Sequence, residues 1–353
     1  MDIKDLFLLF LLFGFSFFYY KYFLLILNKY KPNLLIDDQF TKPQAFHESA
    51  TSTAGGIYIF FSLLITYFYF LLSKNILFIE YISFCALFFI LGFLDDIKIN
   101  INPKIRLFLM IIFLIMLVKY NNFYIDKTGI EVLNNWLQDF ETFSLIFICV
   151  CFLFVINGAN LIDGYNGLLG FHSLIILINL FLINFFSENN NLTYFLFFAI
   201  LTLVIFLKFN FPRAKIFLGD GGSYFLGALI AISVIKTSIT NPTISPFYFC
   251  ILLFYLFFEV FFSFIRKITK ERMSPLFPDK KHLHMLIYKN FLKKNKSKLK
   301  SNYYVSVIIN LIYLILIVPA AIMMEDGLFC KYYSILFFVI YLYVYKISYE
   351  KVK

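Results

Sequence analysis

Along this chain, long apolar runs alternate with short polar stretches, and within each run the apolar residues are continuous rather than alternating. Eleven runs are centred near residues 16, 63, 85, 112, 152, 177, 200, 231, 255, 313 and 339. Each is close to the ~20 residues that cross the hydrocarbon core of a bilayer as a helix. Only helices and closed barrels satisfy every backbone polar group in lipid, and unbroken runs do not fit the alternating strands of a barrel. The pattern therefore predicts an all-α polytopic membrane bundle of eleven transmembrane helices, forming one unit over residues 1–353. The first run, Leu6 to Leu27, reads as a membrane helix rather than a signal peptide. It is too long, it opens with Asp2 and Asp5, and no small-residue cleavage site follows it.

Composition removes the soluble alternative. Hydrophobic residues make up 61% of the chain, with 51 Phe and 25 Tyr, and charged residues only 15%. Soluble domains carry about 25% charge, so lipid is the expected solvent. The net charge of +10 matters through its placement. With eleven spans, 24 Lys and Arg fall in the loops on one side and 6 on the other, with Lys21 near the end of the first helix. Basic residues accumulate in cytoplasmic loops, so the N-terminus is expected outside and the C-terminus inside. Residues 266–302 form a cytoplasmic loop holding 12 of these cations. The half from Lys289 to Lys300 reads as a membrane-surface helix drawn to anionic lipid. The cysteines lie mostly within apolar runs and outline neither a metal site nor a disulfide framework.

Four polar clusters interrupt this apolar chain, and the orientation read from Lys and Arg alone puts all four on the cytoplasmic side. Asp95-Asp96 closes the third run, at a helix C-terminus where the macrodipole disfavours negative charge and the two acids repel each other. Either this end is solvated or it handles a cation or phosphate. Lys104 and Arg106, which follow, are within reach of such a site or are ordinary positive-inside anchors. In the second cluster, Asn157 to Gly170, the side chains of Asn157, Asn160 and Asp163 recur every three residues and share one helix face. Gly164, Gly167 and Gly170 permit sharp turns or close approach of backbone to a ligand.

The third cluster, Lys215 to Gly227, contains the string Gly219-Asp220-Gly221-Gly222 at the start of a helix. Free amides there bind phosphate and a neighbouring carboxylate can hold Mg²⁺, although Asp220 could equally be a simple cap. The fourth, Ser274 to Leu286, holds His282 and His284 two residues apart, so an extended segment would present both on one face. Too few Cys and His lie nearby for a zinc site, and donation to a pyrophosphate is the better reading. Together the clusters suit a polyanion with a divalent cation, and a nucleotide diphosphate fits that description.

At this point the motifs resemble a known family, the polyprenyl-phosphate N-acetylhexosamine-1-phosphate transferases, which include the phospho-MurNAc-pentapeptide translocase and the enzymes that initiate O-antigen and enterobacterial common antigen. The resemblance runs from Ser52 to Phe60 through the Asp95-Asp96 pair, the Asn157 to Gly164 string, the Gly219 to Ser223 turn and the His282-Leu283-His284 segment, in family order. It implies a helical bundle with a cytoplasmic active-site cleft in a bacterial inner membrane. Asp220 would be the principal ligand of Mg²⁺, with Mn²⁺ able to substitute. Asp95 and Asp96 would stand near the polyprenyl phosphate, with Asn157, Asn160 and Asp163 lining the nucleotide and metal pocket. Lys104 would contact phosphate, Gly221 would offer its amide to the substrate, and His282 with His284 would close over the pyrophosphate. Many relatives carry a second acid where this chain has Asn166, which leaves that position only hydrogen bonding to substrate.

The implied partners are undecaprenyl phosphate, a UDP-N-acetylaminosugar and the bilayer, with no nucleic acid, and a homodimer is left open. The His-x-His segment favours UDP-N-acetylglucosamine or a similar donor over the muropeptide precursor, whose branch carries a longer run of adjacent histidines. In the expected reaction the lipid phosphate attacks the sugar-bearing phosphorus and UMP leaves. A membrane transporter is the rival class, and it would require charge near the bilayer midplane and an inverted repeat.

Overall fold

The computed structural model describes residues 3–30, 34–37, 50–99, 101–125, 127–272, 274, 279–294 and 297–353. The apolar runs form helices throughout. The chain starts with α1 (Ile3–Phe18), which passes through a wider turn at Tyr19–Phe23 into α2 (Leu24–Tyr30). A two-stranded antiparallel ribbon follows, β1 (Ile36–Asp37) against β2 (Thr51–Ser52). Next come α3 (Gly55–Lys74), α4 (Ile79–Asp96), α5 (Pro103–Asn121), the short α6 (Glu131–Asp139) and α7 (Glu141–Ile162). The second half contains α8 (Leu168–Phe186), α9 (Asn190–Asn210), α10 (Gly219–Thr240), α11 (Pro246–Leu252) and α12 (Phe254–Arg266). It ends with α13 (Leu283–Lys293), α14 (Lys298–Ile322) and α15 (Gly327–Val352).

Local signals explain several boundaries. Asn102 caps α5 by accepting from the Lys104 amide at 3.0 Å, with Pro103 at the first helical position. Asn75 and Asn122 end α3 and α5 in the left-handed conformation that asparagine tolerates. Eight helices among the described residues are long and apolar enough to cross a membrane, and nine if α11 and α12, bent by 75° to each other, count as one broken span. The count of eleven is therefore not reached on those criteria. The two remaining runs, centred near 85 and 112, are α4 and α5, and each carries three charged residues in its end turns: Glu80, Asp95 and Asp96 in one, Lys104, Arg106 and Lys119 in the other.

The protein is a multi-pass helical membrane protein. Large apolar side chains such as Phe10, Leu72, Phe186 and Ile322 point outward, which lipid tolerates and water does not. The most buried span is α10, which packs on α3, α4, α7 and α8. Its N-terminal turn is pressed between two glycines. A β-carbon on Gly56 would lie 2.5 Å from the Gly222 nitrogen, and one on Gly92 would lie 2.3 Å from the Asp220 carbonyl oxygen. Neither helix could approach so closely with any side chain there.

The basic segment departs from its expected form. Lys289 and Lys293 belong to α13, whereas Lys298 and Lys300 open α14, so Lys289 to Lys300 is not one surface helix. Ser297 caps α14 through the Lys300 amide and so starts a new helix. Lys293 is committed to the last carbonyls of α15, at 3.0 Å from Lys351 and 2.8 Å from Val352, where a cation complements the helix dipole.

Candidate active site at one end of the bundle

The C-terminal turns of α4 and α7 and the N-terminal turns of α5 and α10 meet at one end of the bundle. Asp96, the last residue of α4, accepts the Asp220 amide at 2.8 Å on Oδ1 and the Gly221 amide at 2.9 Å on Oδ2. It thus caps α10 from another helix. Two amide hydrogen bonds to this carboxyl contribute about 0.5–1.5 kcal/mol each, and the positive end of the α10 dipole adds to them. That outweighs the unfavourable placement at the end of α4, which is worth at most about 1 kcal/mol on an exposed terminus. Gly219, at φ +73°, turns the chain into this contact; a β-carbon there would lie 2.6 Å from the Asp96 carboxylate oxygens.

This geometry corrects one expectation. The Gly221 amide was to be offered to substrate, but it is occupied, because the nearest carboxylate has already filled the anion site of the α10 terminus. Asp95 faces the other way. It accepts the Ile101 amide at 3.2 Å and pairs with Arg106. The Arg106 guanidinium also lies 3.8 Å from Asp220 Oδ2 and over the Tyr224 ring. Lys104, the expected phosphate contact, is exposed at the helix surface. Residues two apart on a helix point roughly 200° from each other, so only one of Lys104 and Arg106 can face the acids, and it is Arg106.

From α7, Asn160 donates to Asp220 Oδ1 and to Ser223 Oγ, both at 2.9 Å. Asp163, the residue that ends α7, stands close enough to interact with Asp220; burial, reinforced by that neighbour, pushes its carboxyl up to about 8. Asn157 shares their helix face but bonds to the Leu153 carbonyl at 2.8 Å and lies 3.9 Å from Met110 Sδ, a turn away from the acids. Asn166 is a correction: its side chain donates to the Pro212 carbonyl at 2.9 Å and its amide to Asn302 at 2.8 Å, so it fixes the loop between α7 and α8 instead of facing a ligand. The preceding motif is knitted to the same place, since the Gly55 and Gly56 amides donate to the Phe217 and Leu218 carbonyls at 2.9 and 2.8 Å.

The histidine segment is built differently. His282 and His284 do lie on one side, with rings parallel and centroids 5.5 Å apart, but His284 is already inside α13 and both are buried. His282 Nδ1 is 3.0 Å from a Glu259 oxygen and Nε2 is 3.7 Å from Asp279. His284 Nδ1 is 3.2 Å from the Tyr255 hydroxyl, and its ring meets Tyr165, two residues beyond Asp163. Burial holds the His284 imidazole down at about 3, against the pull of Glu259, so it is neutral at pH 7 and brings no positive charge to a pyrophosphate. Residues 275–278 of this cluster lie outside the described residues.

Two residues thus enter that the motifs did not single out. Lys104 and Arg106 read alike, within reach of the site or as ordinary anchors, although their helical offset separates their roles. Glu259 is the one acid in the run Phe254 to Arg266, and an ionisable residue inside a span was the available signal.

Buried helices carrying carboxylates, amides and one guanidinium to a single membrane-bundle end define a membrane protein with a polar cluster suited to anion and cation chemistry. Comparison with known proteins agrees. The profile of glycosyl transferase family 4 matches residues 78–238, which include all of these clusters except the histidines. The phospho-N-acetylmuramoyl-pentapeptide-transferase of Dictyoglomus turgidum is 34% identical over 240 residues, 65% of this chain and 74% of the relative. Undecaprenyl-phosphate alpha-N-acetylglucosaminyl 1-phosphate transferases of Thermotoga maritima and Escherichia coli O157:H7 are each 26% identical. Those alignments cover 67% and 59% of this chain, and 68% and 57% of the relatives. The chain belongs to glycosyl transferase family 4, the polyprenyl-phosphate N-acetylhexosamine-1-phosphate transferases that its motifs resemble.

Proposed function

We propose that this protein transfers an N-acetylaminosugar 1-phosphate from a UDP-sugar to undecaprenyl phosphate, releasing UMP. The product is a lipid diphosphate bearing the first sugar of a cell-surface glycan. The observation that carries this reading is the meeting of Asp95, Asp96, Asn160, Asp163, Asp220 and Arg106 from four helices at one end of the bundle. The basic-residue bias supports a cytoplasmic position for that end, with the N-terminus periplasmic and the C-terminus cytoplasmic, and the bacterial relatives support an inner-membrane location.

The donor set suits Mg²⁺, with Mn²⁺ as substitute. Asp220 keeps 42% of its side chain exposed beside Asp163, both offering hard oxygen. Among the described residues no three acid, histidine or cysteine side chains form a complete metal site. That suits an ion that takes one or two carboxylates and completes its shell with phosphate oxygens and water. When bound, such an ion neutralises charge on the diphosphate and on the leaving UMP. Asn160 orients Asp220, and Arg106 is placed to meet a phosphate oxygen while Asp95 holds it. Asp95 is engaged by Arg106 and Asp96 by two amides of α10, so both have positioning work apart from any role as a base. None is required: a phosphate monoester with a second pKa near ~6 is mostly dianionic at pH 7.

A second reading, transfer of phospho-MurNAc-pentapeptide, is favoured by the higher identity to the Dictyoglomus turgidum enzyme. The separated histidines favour the aminosugar donor. Membranes incubated with undecaprenyl phosphate, Mg²⁺ and a panel of UDP-sugars including UDP-N-acetylglucosamine and UDP-MurNAc-pentapeptide decide between them. UMP released with the aminosugar donor alone supports the first reading, and with the muropeptide alone the second. No UMP with any donor, or uptake of solute into proteoliposomes without it, would overturn both.

A further inference from the structure

Glu259 lies five residues beyond the start of α12, just past the bend that separates it from α11, and it is 1% exposed. A carboxylate inside a membrane span is retained only where partners hold it. Here both oxygens are engaged. Oε1 accepts from His282 Nδ1 and from the Leu283 amide, each at 3.0 Å, and Oε2 accepts from the Tyr341 hydroxyl of α15 at 2.6 Å. One side chain therefore caps the first turn of α13, fixes the orientation of the His282 ring and ties both to the last helix. The groups facing this carboxylate come from every element around it: His282 and Leu283 from the start of α13, Tyr341 from α15, and His284 beside Tyr255 of α12 itself. A cap at a helix terminus needs only one amide acceptor. The additional grip on His282 Nδ1 is what a purely structural cap does not need, and it sets which nitrogen of the ring is left to act elsewhere.

We propose that Glu259 is a positioning residue, which holds His282 in the orientation that the transfer reaction uses and couples the His282-Leu283-His284 segment to the bent span. This rests on the transferase reading for its catalytic consequence, although the coupling itself does not.

The full-length protein in detergent or membranes supplies the test, as a double-mutant cycle between E259Q and H282Q. Glutamine fills the same volume and its oxygen can still accept the Leu283 amide, so the cap survives while the bond to His282 loses its charge-assisted strength. E259Q is expected to lower kcat by about 30-fold with KM for the UDP-sugar changed less than about twofold. The double variant should be no slower than H282Q, within about twofold, because Glu259 acts through that ring. Losses that multiply would assign Glu259 an independent structural role and overturn the proposal.

A second readout needs no activity. Modification of His282 by diethylpyrocarbonate, mapped by mass spectrometry, should be at least about fivefold faster in E259Q than in wild type at an unchanged unfolding temperature. Equal rates would refute the coupling. Should E259Q fail to fold, Y341F, which removes only the bond to Oε2, carries the same labelling comparison with a smaller expected increase, and no increase there overturns the proposal. A chain that shows the labelling difference yet transfers no sugar phosphate would refute the transferase reading and leave the coupling standing.

Discussion

The two polar regions of this bundle use carboxylates in opposite ways. At the meeting of α4 and α10, Asp96 is absorbed in two backbone amides while its neighbour Asp220 stays 42% exposed, so one acid builds the frame and the other is presented. Around Glu259 nothing is presented: the acid, both histidines and their tyrosine partners are all buried. A cluster that leaves one charged group accessible is suited to a ligand, and a cluster whose acid is satisfied on both oxygens, although His284 Nε2 has no hydrogen-bond partner, is suited to hold a segment in place. Under the proposed function the first region would bind the anions and the cation, and the second would set the position of a segment beside it.

Substitutions should separate the presented acid from the framing one. The largest effect is expected for D220N. Losing the exposed carboxylate should reduce UMP release by about 10³-fold, as removal of a main electrostatic group does, with the unfolding temperature nearly unchanged. A D220N protein within tenfold of wild type would end the distinction between the two regions. D96N should lose both activity, by about 100-fold, and stability, by about 2 kcal/mol, because two amides of α10 then lose a carboxyl acceptor. Chemical denaturation of the purified pair reads the second loss, and its absence would show that Asp96 does not hold the helix.

Smaller effects sharpen the same contrast. R106A is expected to slow transfer by about 30-fold, against less than about threefold for K104A, since only the guanidinium reaches the acids. Equal losses in a side-by-side UMP assay would restore the lysine as the phosphate contact. D95N should be slower by about tenfold at every pH between about 6 and 8, because its partner is Arg106 rather than a substrate proton. Recovery of the rate as pH rises would instead make Asp95 a base. The smallest change is expected for N157A, about twofold, given that its amide is spent on the preceding turn of its own helix.

Much of this was legible before any coordinates. Continuous apolar runs locate the helices, since in lipid backbone satisfaction leaves no other regular option for them, and Asp95, Asp96, Asn160, Asp163 and Asp220 stood out as polar groups where apolar ones were expected. Their convergence could be read from charge bias alone. Which of them faces outward could not. Whether Gly221 offers its amide or surrenders it to Asp96 depends on the approach of α4, allowed by Gly92 and set by packing across more than a hundred residues. Asn166 likewise looked available until the Pro212 carbonyl claimed it. The histidines read as a pair on one face of an extended segment because their spacing carries no sign of Glu259, which lies 23 residues earlier than His282.

Binding of Mn²⁺, followed by electron paramagnetic resonance on the purified protein with and without a UDP-sugar, tests the central claim most directly. The account expects tight binding that strengthens with the nucleotide sugar, vanishes in D220N and persists in E259Q. Binding that is the same in D220N as in wild type would contradict it.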